Sequence, residues 1–187
     1  MEYTTTYKFR IYPNKTQIDK IDYMMYISRI LYNAMLQQRK MAYELNKDFY
    51  ENIKITSYTQ EEEFPGIKNE FPEYKNIYSQ ALQNVADRLD KSYDNFFRRI
   101  KEKKNGKKIK TGFPRFKSRE QYRSITYTQS GFKLLDNTHI FFSKIGEIRG
   151  KIKQGTIKKH KADNYFVTLV VEAINNINCS EFPYNPV

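Results

Sequence analysis

The apolar residues of this chain change period twice, and that change restricts the fold more than any other feature. Between Thr5 and Tyr12, Tyr7, Phe9 and Ile11 alternate with Lys8 and Arg10, the period of a half-buried strand with one basic face. Pro13 ends the alternation. Asn14 and Gln17 then form an N-cap and its N3 partner for a helix whose apolar positions Ile18, Ile21, Met25, Leu31, Met35 and Ala42 carry it to about Leu45. Ser57 and Gln60 repeat the cap arrangement before Glu61–Glu63, and Pro65, Gly66 and Pro72 interrupt the chain soon after, so a short helix between loops is expected. The strongest periodic signal, Leu82, Ala86, Leu89, Tyr93, Phe96 and Ile100, predicts a helix from about Tyr74 to Lys103 with Gln80, Gln83, Asp87, Lys91 and Asp94 on its polar side. From Ser124 onward alternation returns, through Ile125 and Tyr127, Phe132 and Leu134, Ile140 and Phe142, Ile148, Ile152 and Ile157, to Tyr165–Val171.

A chain that opens with one strand, inserts helices and returns to strands must pair its first strand with partners far away in sequence. The economical architecture is α+β, a small β-barrel of oligonucleotide-binding type interrupted by a helical insertion. Residues 1–13 would hold the first strand, 14–112 the helical insertion with a basic linker, 113–173 the remainder of the barrel and 174–187 an irregular tail without clear periodicity.

The composition supports a folded polyanion binder. Apolar residues make up 39%, with 16 Tyr and 13 Phe, far more than a solvated linker tolerates. The net charge of +12, from 33 Lys and Arg against 21 Asp and Glu, points first to nucleic acid. A membrane partner is not expected, since no stretch approaches the roughly 18 apolar residues of a spanning helix, and the N-terminus does not read as a signal peptide, so cytoplasmic residence is expected. Cys179 is the single cysteine and has only His139 and His160 for company, too few ligands for a zinc cluster. No cofactor or metal is expected.

The charge concentrates between Arg98 and Arg123, where twelve basic residues face only Glu102 and Glu120. Arg98, Arg99, Lys103, Lys104, Lys107, Lys108, Lys110, Arg115, Lys117, Arg119 and Arg123 read as a phosphate clamp that displaces condensed counterions. Phe113, Pro114 and Phe116 among them suit a backbone held in place by aromatics while cations reach outward. A second cluster, Lys144, Arg149, Lys151, Lys153, Lys158, Lys159 and Lys161, alternates with isoleucines and could line a groove or form an ordinary strand face. Tyr23, Tyr26, Tyr32, Tyr43 and Tyr93 fall on helices and read as core packing. Gln80 and Gln83 could read adenine edges or be plain surface. His139 and His160 lack a nucleophile or acidic partner at useful spacing and read as structural, so no catalytic residue is assigned. Asp87, Asp90 and Asp94 share a helix with Arg88, Lys91 and Arg98, which favours intrahelical ion pairs over a metal site.

Five segments in order, YKFRIYPNKTQ, RILYNAML, ALQNVADRLDKSYDNFFRRI, GFPRFK and YRSITYTQSGFKL, resemble the N-terminal half of TnpB, also called OrfB, a family of transposon-encoded, RNA-guided DNA nucleases related to type V CRISPR effectors. The resemblance runs from about Tyr7 to Glu172. It implies that the strands form a wedge domain, that the helical insertion is a recognition lobe, and that the two hold a guide RNA and a short motif flanking a double-stranded DNA target. Guide pairing would then read the target while side chains read the flanking motif and backbone shape. The resemblance assigns DNA contacts to Tyr58, Ser79, Gln83 and Thr128, with Gln80 beside them. Ser79 stands where a relative has lysine. RNA contacts would come from the clamp together with Phe116, Lys8, Arg10, Lys151, Lys153, Lys158 and Lys159. The family's RuvC nuclease domain would begin just beyond Glu172, where this sequence reads AINNINCSEFPYNPV and departs from the pattern. Neither the converging carboxylates of a two-metal nuclease nor the family's zinc cysteines stand in these 187 residues, so cleavage by this polypeptide alone is not expected. The leading expectation is a nuclease-free, TnpB-like protein acting by occupancy, as a repressor or as a competitor of the full-length nuclease. The alternatives are a truncated or split part of an endonuclease whose catalytic subunit is separate, and a DNA-binding regulator independent of RNA, its helices acting as a helix-turn-helix pair.

Overall fold

The computed structural model describes residues 3–50, 52–128, 151–160 and 163–173. The first strand, β1 (Tyr3–Ile11), stops at Pro13, and α1 (Lys15–Phe49) starts where the cap motif puts it. The Asn14 side chain accepts from the Gln17 amide at 2.9 Å and the Gln17 side chain accepts from the Asn14 amide at 3.0 Å, so both orphan donors are satisfied. Two short helices come next, α2 (Ser57–Glu62) and α3 (Phe64–Glu70), then a 3-10 turn over Pro72–Asn76 and the second long helix, α4 (Ser79–Lys104). The expected start of α4 at Tyr74 is corrected: Pro72 opens a separate turn, and Tyr78 is the N-cap. The cap of α2 is also displaced, from Ser57 and Gln60 to Thr56 and Thr59.

Helix α4 ends where its sequence turns from apolar rows to KNGKK. Gly106 takes φ +86°, its amide donates to the Lys103 carbonyl at 3.0 Å, and the Lys107 amide reaches the Glu102 carbonyl at 3.1 Å. These are the paired bonds of a Schellman ending, which needs a left-handed residue at that place. The chain then runs back across the helices without regular structure, passes a 3-10 turn at Arg119–Gln121, and enters β2 (Ser124–Thr128).

Strands β2, β3 (Lys151–Lys159) and β4 (Tyr165–Ala173) join β1 in one antiparallel sheet of order β1-β4-β3-β2. The first strand thus pairs with the last, from Tyr3 opposite Ala173 to Ile11 opposite Tyr165. The expected α+β class holds. The barrel is corrected for the described residues: β1 and β2 lie at opposite edges and the sheet is open, while the strands expected around Phe132, Ile140 and Ile148 lie outside the described residues.

One core joins the layers. The inward row of α1, Ile21, Met25, Ser28, Tyr32, Met35 and Arg39, packs with the Ala81–Leu89 face of α4 and with Ile125 and Tyr165 of the sheet. Val167, Leu169 and Val171 extend the same sheet face against Tyr7 and Phe9. The expected intrahelical pairing of Asp90 is corrected, because it binds the buried Arg39 across the α1–α4 interface at 2.5 Å. Gln60, 1% exposed, completes that site: it accepts from Arg39 Nε at 2.8 Å and donates to the Met35 carbonyl at 3.0 Å and to Gln38 Oε1 at 2.6 Å.

Candidate nucleic-acid interface

The segment Gly112–Lys117 is irregular, yet it is fastened at three points. Phe113 enters an aromatic cluster, 4.8 Å from Phe96, 5.6 Å from Tyr93 and 5.8 Å from Tyr43 between ring centroids. Pro114 is buried beside it. Asn33 of α1 clamps the next turn of backbone: its Nδ2 donates to the Lys117 carbonyl at 3.0 Å, and its Oδ1 accepts from the Lys117 amide at 2.8 Å. An amide side chain that matches both backbone groups of one residue fixes a loop much as a strand partner would.

Cations project from this scaffold. Arg99, Lys103 and Lys104 on the last turns of α4, and Lys108, Lys110 and Arg115 beyond it, are exposed and make no ion pair among the described residues. Phe116 lies on the surface with Lys40 Nζ 4.4 Å above its ring. Some of the expected clamp is internally engaged. Arg98 bonds Glu102 at 2.9 Å, Lys107 approaches the same carboxylate at 3.9 Å, and Arg123 pairs with Glu120. Lys117 sends its ammonium over the Tyr32 ring, 5.9 Å away.

The sheet carries a second basic surface on the face turned from the helices. Arg10, Phe166 and Lys158 stand opposite one another on β1, β4 and β3, and Lys8 Nζ lies 4.7 Å over the Phe166 ring. Arg10 also donates to Asn164 Oδ1 at 2.5 Å. Two expected members of this cluster are engaged within the protein. Lys153 is bound to Glu172 at 2.5 Å, and Lys159 meets Asp22 at 2.6 Å and Asp163 at 3.2 Å. Burial opposes the charge on Lys159, but hydrogen bonds with Asp22, Tyr165 and Asp163 outweigh it and raise the pKa above the ordinary lysine value. Lys159 ties the sheet to α1. Lys144, Arg149, Lys161 and His139 lie outside the described residues, as does the side chain of Lys151.

The residues assigned to DNA gather partly. Tyr78 and Tyr127 meet with ring centroids 6.2 Å apart, so the start of α4, which carries Ser79 and Gln80, approaches the end of β2, which carries Thr128. Ser79 Oγ accepts from Lys68 Nζ at 2.7 Å. Gln83 is exposed one turn further along α4. Tyr58 is 69% exposed on α2, and its hydrogen bond to Glu62 raises its pKa. Helix α2 packs on α4, where Glu61 lies near Asp87 and Asp90. Burial first, then those two charges, hold the Glu61 carboxyl above its ordinary value.

Sequence reasoning missed Asn33, Lys40 and Arg29, and it misplaced three tyrosines. Tyr32 is buried, but Tyr23, Tyr26 and Tyr43 are exposed. Their positions fall off the inward row of α1, which is the signal that could have separated them. No helix among the described residues is long and apolar enough to cross a membrane. No group of three or more His, Cys, Asp or Glu among them could hold a metal ion.

A family model for a helix-turn-helix domain of OrfB and IS605 type matches residues 1–48. The structure builds those residues as β1 and most of α1, a strand and one continuous helix. InsQ of Escherichia coli (strain K12), provisionally named an RNA-guided DNA endonuclease, is 26% identical over 184 residues, covering 92% of this chain and 42% of InsQ. The chain therefore spans less than half the length of that relative. Motif order and both comparisons agree, and the chain resembles the N-terminal part of the TnpB/OrfB proteins over nearly its whole length.

Proposed function

We propose that this chain binds a guide RNA through its two basic surfaces and, with that RNA, the duplex flanking a DNA target. The observation that carries the reading is the fastened Phe113–Lys117 segment, whose backbone is fixed by Asn33 and whose neighbouring cations stay open to solvent. A fixed row of cations loses less conformational freedom on meeting a phosphate backbone than a loose loop does. In this reading residues 14–112 act as the recognition lobe and the strands as the wedge. Tyr58, Ser79, Gln80, Gln83 and Thr128 face the flanking duplex. Taken alone, this stretch works by occupancy, repressing a site or competing for the RNA of a full-length nuclease.

Protein purified without nuclease treatment should carry RNA of defined length. Replacing Lys103, Lys104, Lys107 and Lys108 with alanine should weaken RNA binding and reduce the slope of log affinity against log salt by up to about 3. Copurified RNA of random length and sequence with an unchanged slope would remove the proposal.

A second reading has an observation of its own. Because the chain matches 42% of InsQ, it also fits one part of an RNA-guided nuclease. RNA-dependent DNA cleavage on mixing with a RuvC-containing partner would favour it. The RNA-independent regulator fits less well, since residues 1–48 present no pair of helices for a major groove.

A further inference from the structure

Between Asp22–Arg29 of α1, the 3-10 turn at Arg119–Gln121 and Lys159, His160 and Asp163 near the ends of β3 and β4 lies a cavity of about 780 Å³, within the size range of small-molecule sites. Its lining shares no residue with the Phe113–Lys117 segment or with the residues assigned to DNA. Its wall carries Lys159 and Arg123, both already paired with carboxylates, and Arg29 and Arg119, which make no ion pair among the described residues. Arg29 Nε is buried and lacks a hydrogen-bond partner, and so does His160 Nε2, also in the lining. Two tyrosine rings border the opening: Tyr23 is 40% exposed and Tyr26 51%, and the Arg29 guanidinium lies 5.4 Å over the Tyr26 ring.

We infer that this cavity takes a single unstacked nucleotide of a bound RNA, its base against Tyr26 and Tyr23 and its phosphate between Arg29 and Arg119. The inference rests on the RNA-binding reading above and gives that RNA a specific anchoring point. Three features select one nucleotide over a continuous backbone. Asp22 and Asp163 match Lys159, and Glu120 matches Arg123, so only Arg29 and Arg119 stay open, which suits one phosphate beside a neutral base and not a row of phosphates. The volume suits a base and sugar. The unpartnered Arg29 Nε and His160 Nε2 supply buried polar atoms that a base edge or phosphate can satisfy.

The test measures anisotropy of a fluorescein-labelled, mixed-sequence single-stranded RNA and of the same RNA annealed to its complement, using the full chain. Tyr26→Ala should lower affinity for the single strand about five- to a hundredfold, the range for losing one base–aromatic stack, with little effect on the duplex. Arg119→Ala should act in the same direction. Tyr26→Phe should restore single-strand binding, since the ring is kept. Photocrosslinking to 4-thiouridine in the single strand should label the tryptic peptide Ile21–Arg29. Equal binding of wild type and Tyr26→Ala, or crosslinks confined to the Arg98–Lys117 region, overturns the cavity assignment. If the four-lysine variant still weakens RNA binding in that case, the RNA-binding reading survives. Absence of any RNA binding by the wild type overturns both.

Discussion

Arg39 shows how much one side chain can carry between two helices. It is buried on α1, pairs with Asp90 on α4, donates to Gln60 on α2 and lies 5.2 Å over the Tyr93 ring. Removing one member of a buried pair leaves the rest without compensation. Asp90 retains some water, so Arg39→Ala should cost about 2–4 kcal/mol, below the upper range for a fully dry pair, and Asp90→Asn should cost less, both read by urea unfolding. His160 gives the chain an acid sensitivity. Burial, then the charges of Lys8 and Lys158, hold its pKa below the ordinary histidine value. A group that protonates less readily when folded stabilises the fold above the unfolded pKa, about 6.5. That contribution is lost as pH falls and the unfolded chain takes up the proton first. Lowering the pH from about 7.5 to about 5 should therefore lower the wild-type Tm more than that of His160→Gln, followed by circular dichroism.

The irregular segment after α4 behaves as an element because α1 and α4 hold it. Asn33→Ala removes both bonds to Lys117 and should cost about 1–3 kcal/mol. Limited trypsin digestion should then cut faster at Arg115 and Lys117. Gly106→Ala should destabilise by about 1 kcal/mol, since its positive φ suits only a residue without Cβ. Much of this level was legible in the sequence. The Asn14–Gln17 box placed the start of α1, and the apolar steps of α4 named the face that packs. The inward row of α1 was legible only in part, because Ser28 and Arg39 occupy it and an apolar pattern skips polar members. That omission also left Tyr23 and Tyr26 assigned to the core. Thr56 took the cap of α2 from Ser57 because Gln60 had a competing task inside, which depends on a helix 21 residues earlier. The Asn33 clamp joins residues 84 positions apart, and no local spacing encodes that.

At the largest scale, the molecule places its helices on one face of the sheet and exposes cations on the other, with further cations along the segment that crosses the helices. If the proposed RNA spans the cations on both surfaces, alanine at Lys8, Arg10 and Lys158 should weaken RNA binding about additively with the four-lysine variant, as salt-titrated affinities would show. The class and the long-range pairing of β1 came from the period changes, because an isolated N-terminal strand has to find a mate. Openness of the sheet did not, since alternation gives strands but not how they close. The union of β1 with β4 also sets an order of events during synthesis. Arg10 leaves the ribosome 154 residues before Asn164, its hydrogen-bond partner. At typical translation rates that is a wait of about 8–30 seconds, during which the helices can form while β1 hangs unpaired. Lys8 and Arg10 then serve the nascent chain before they serve any ligand, as charges that discourage the lone strand from joining a neighbouring polypeptide.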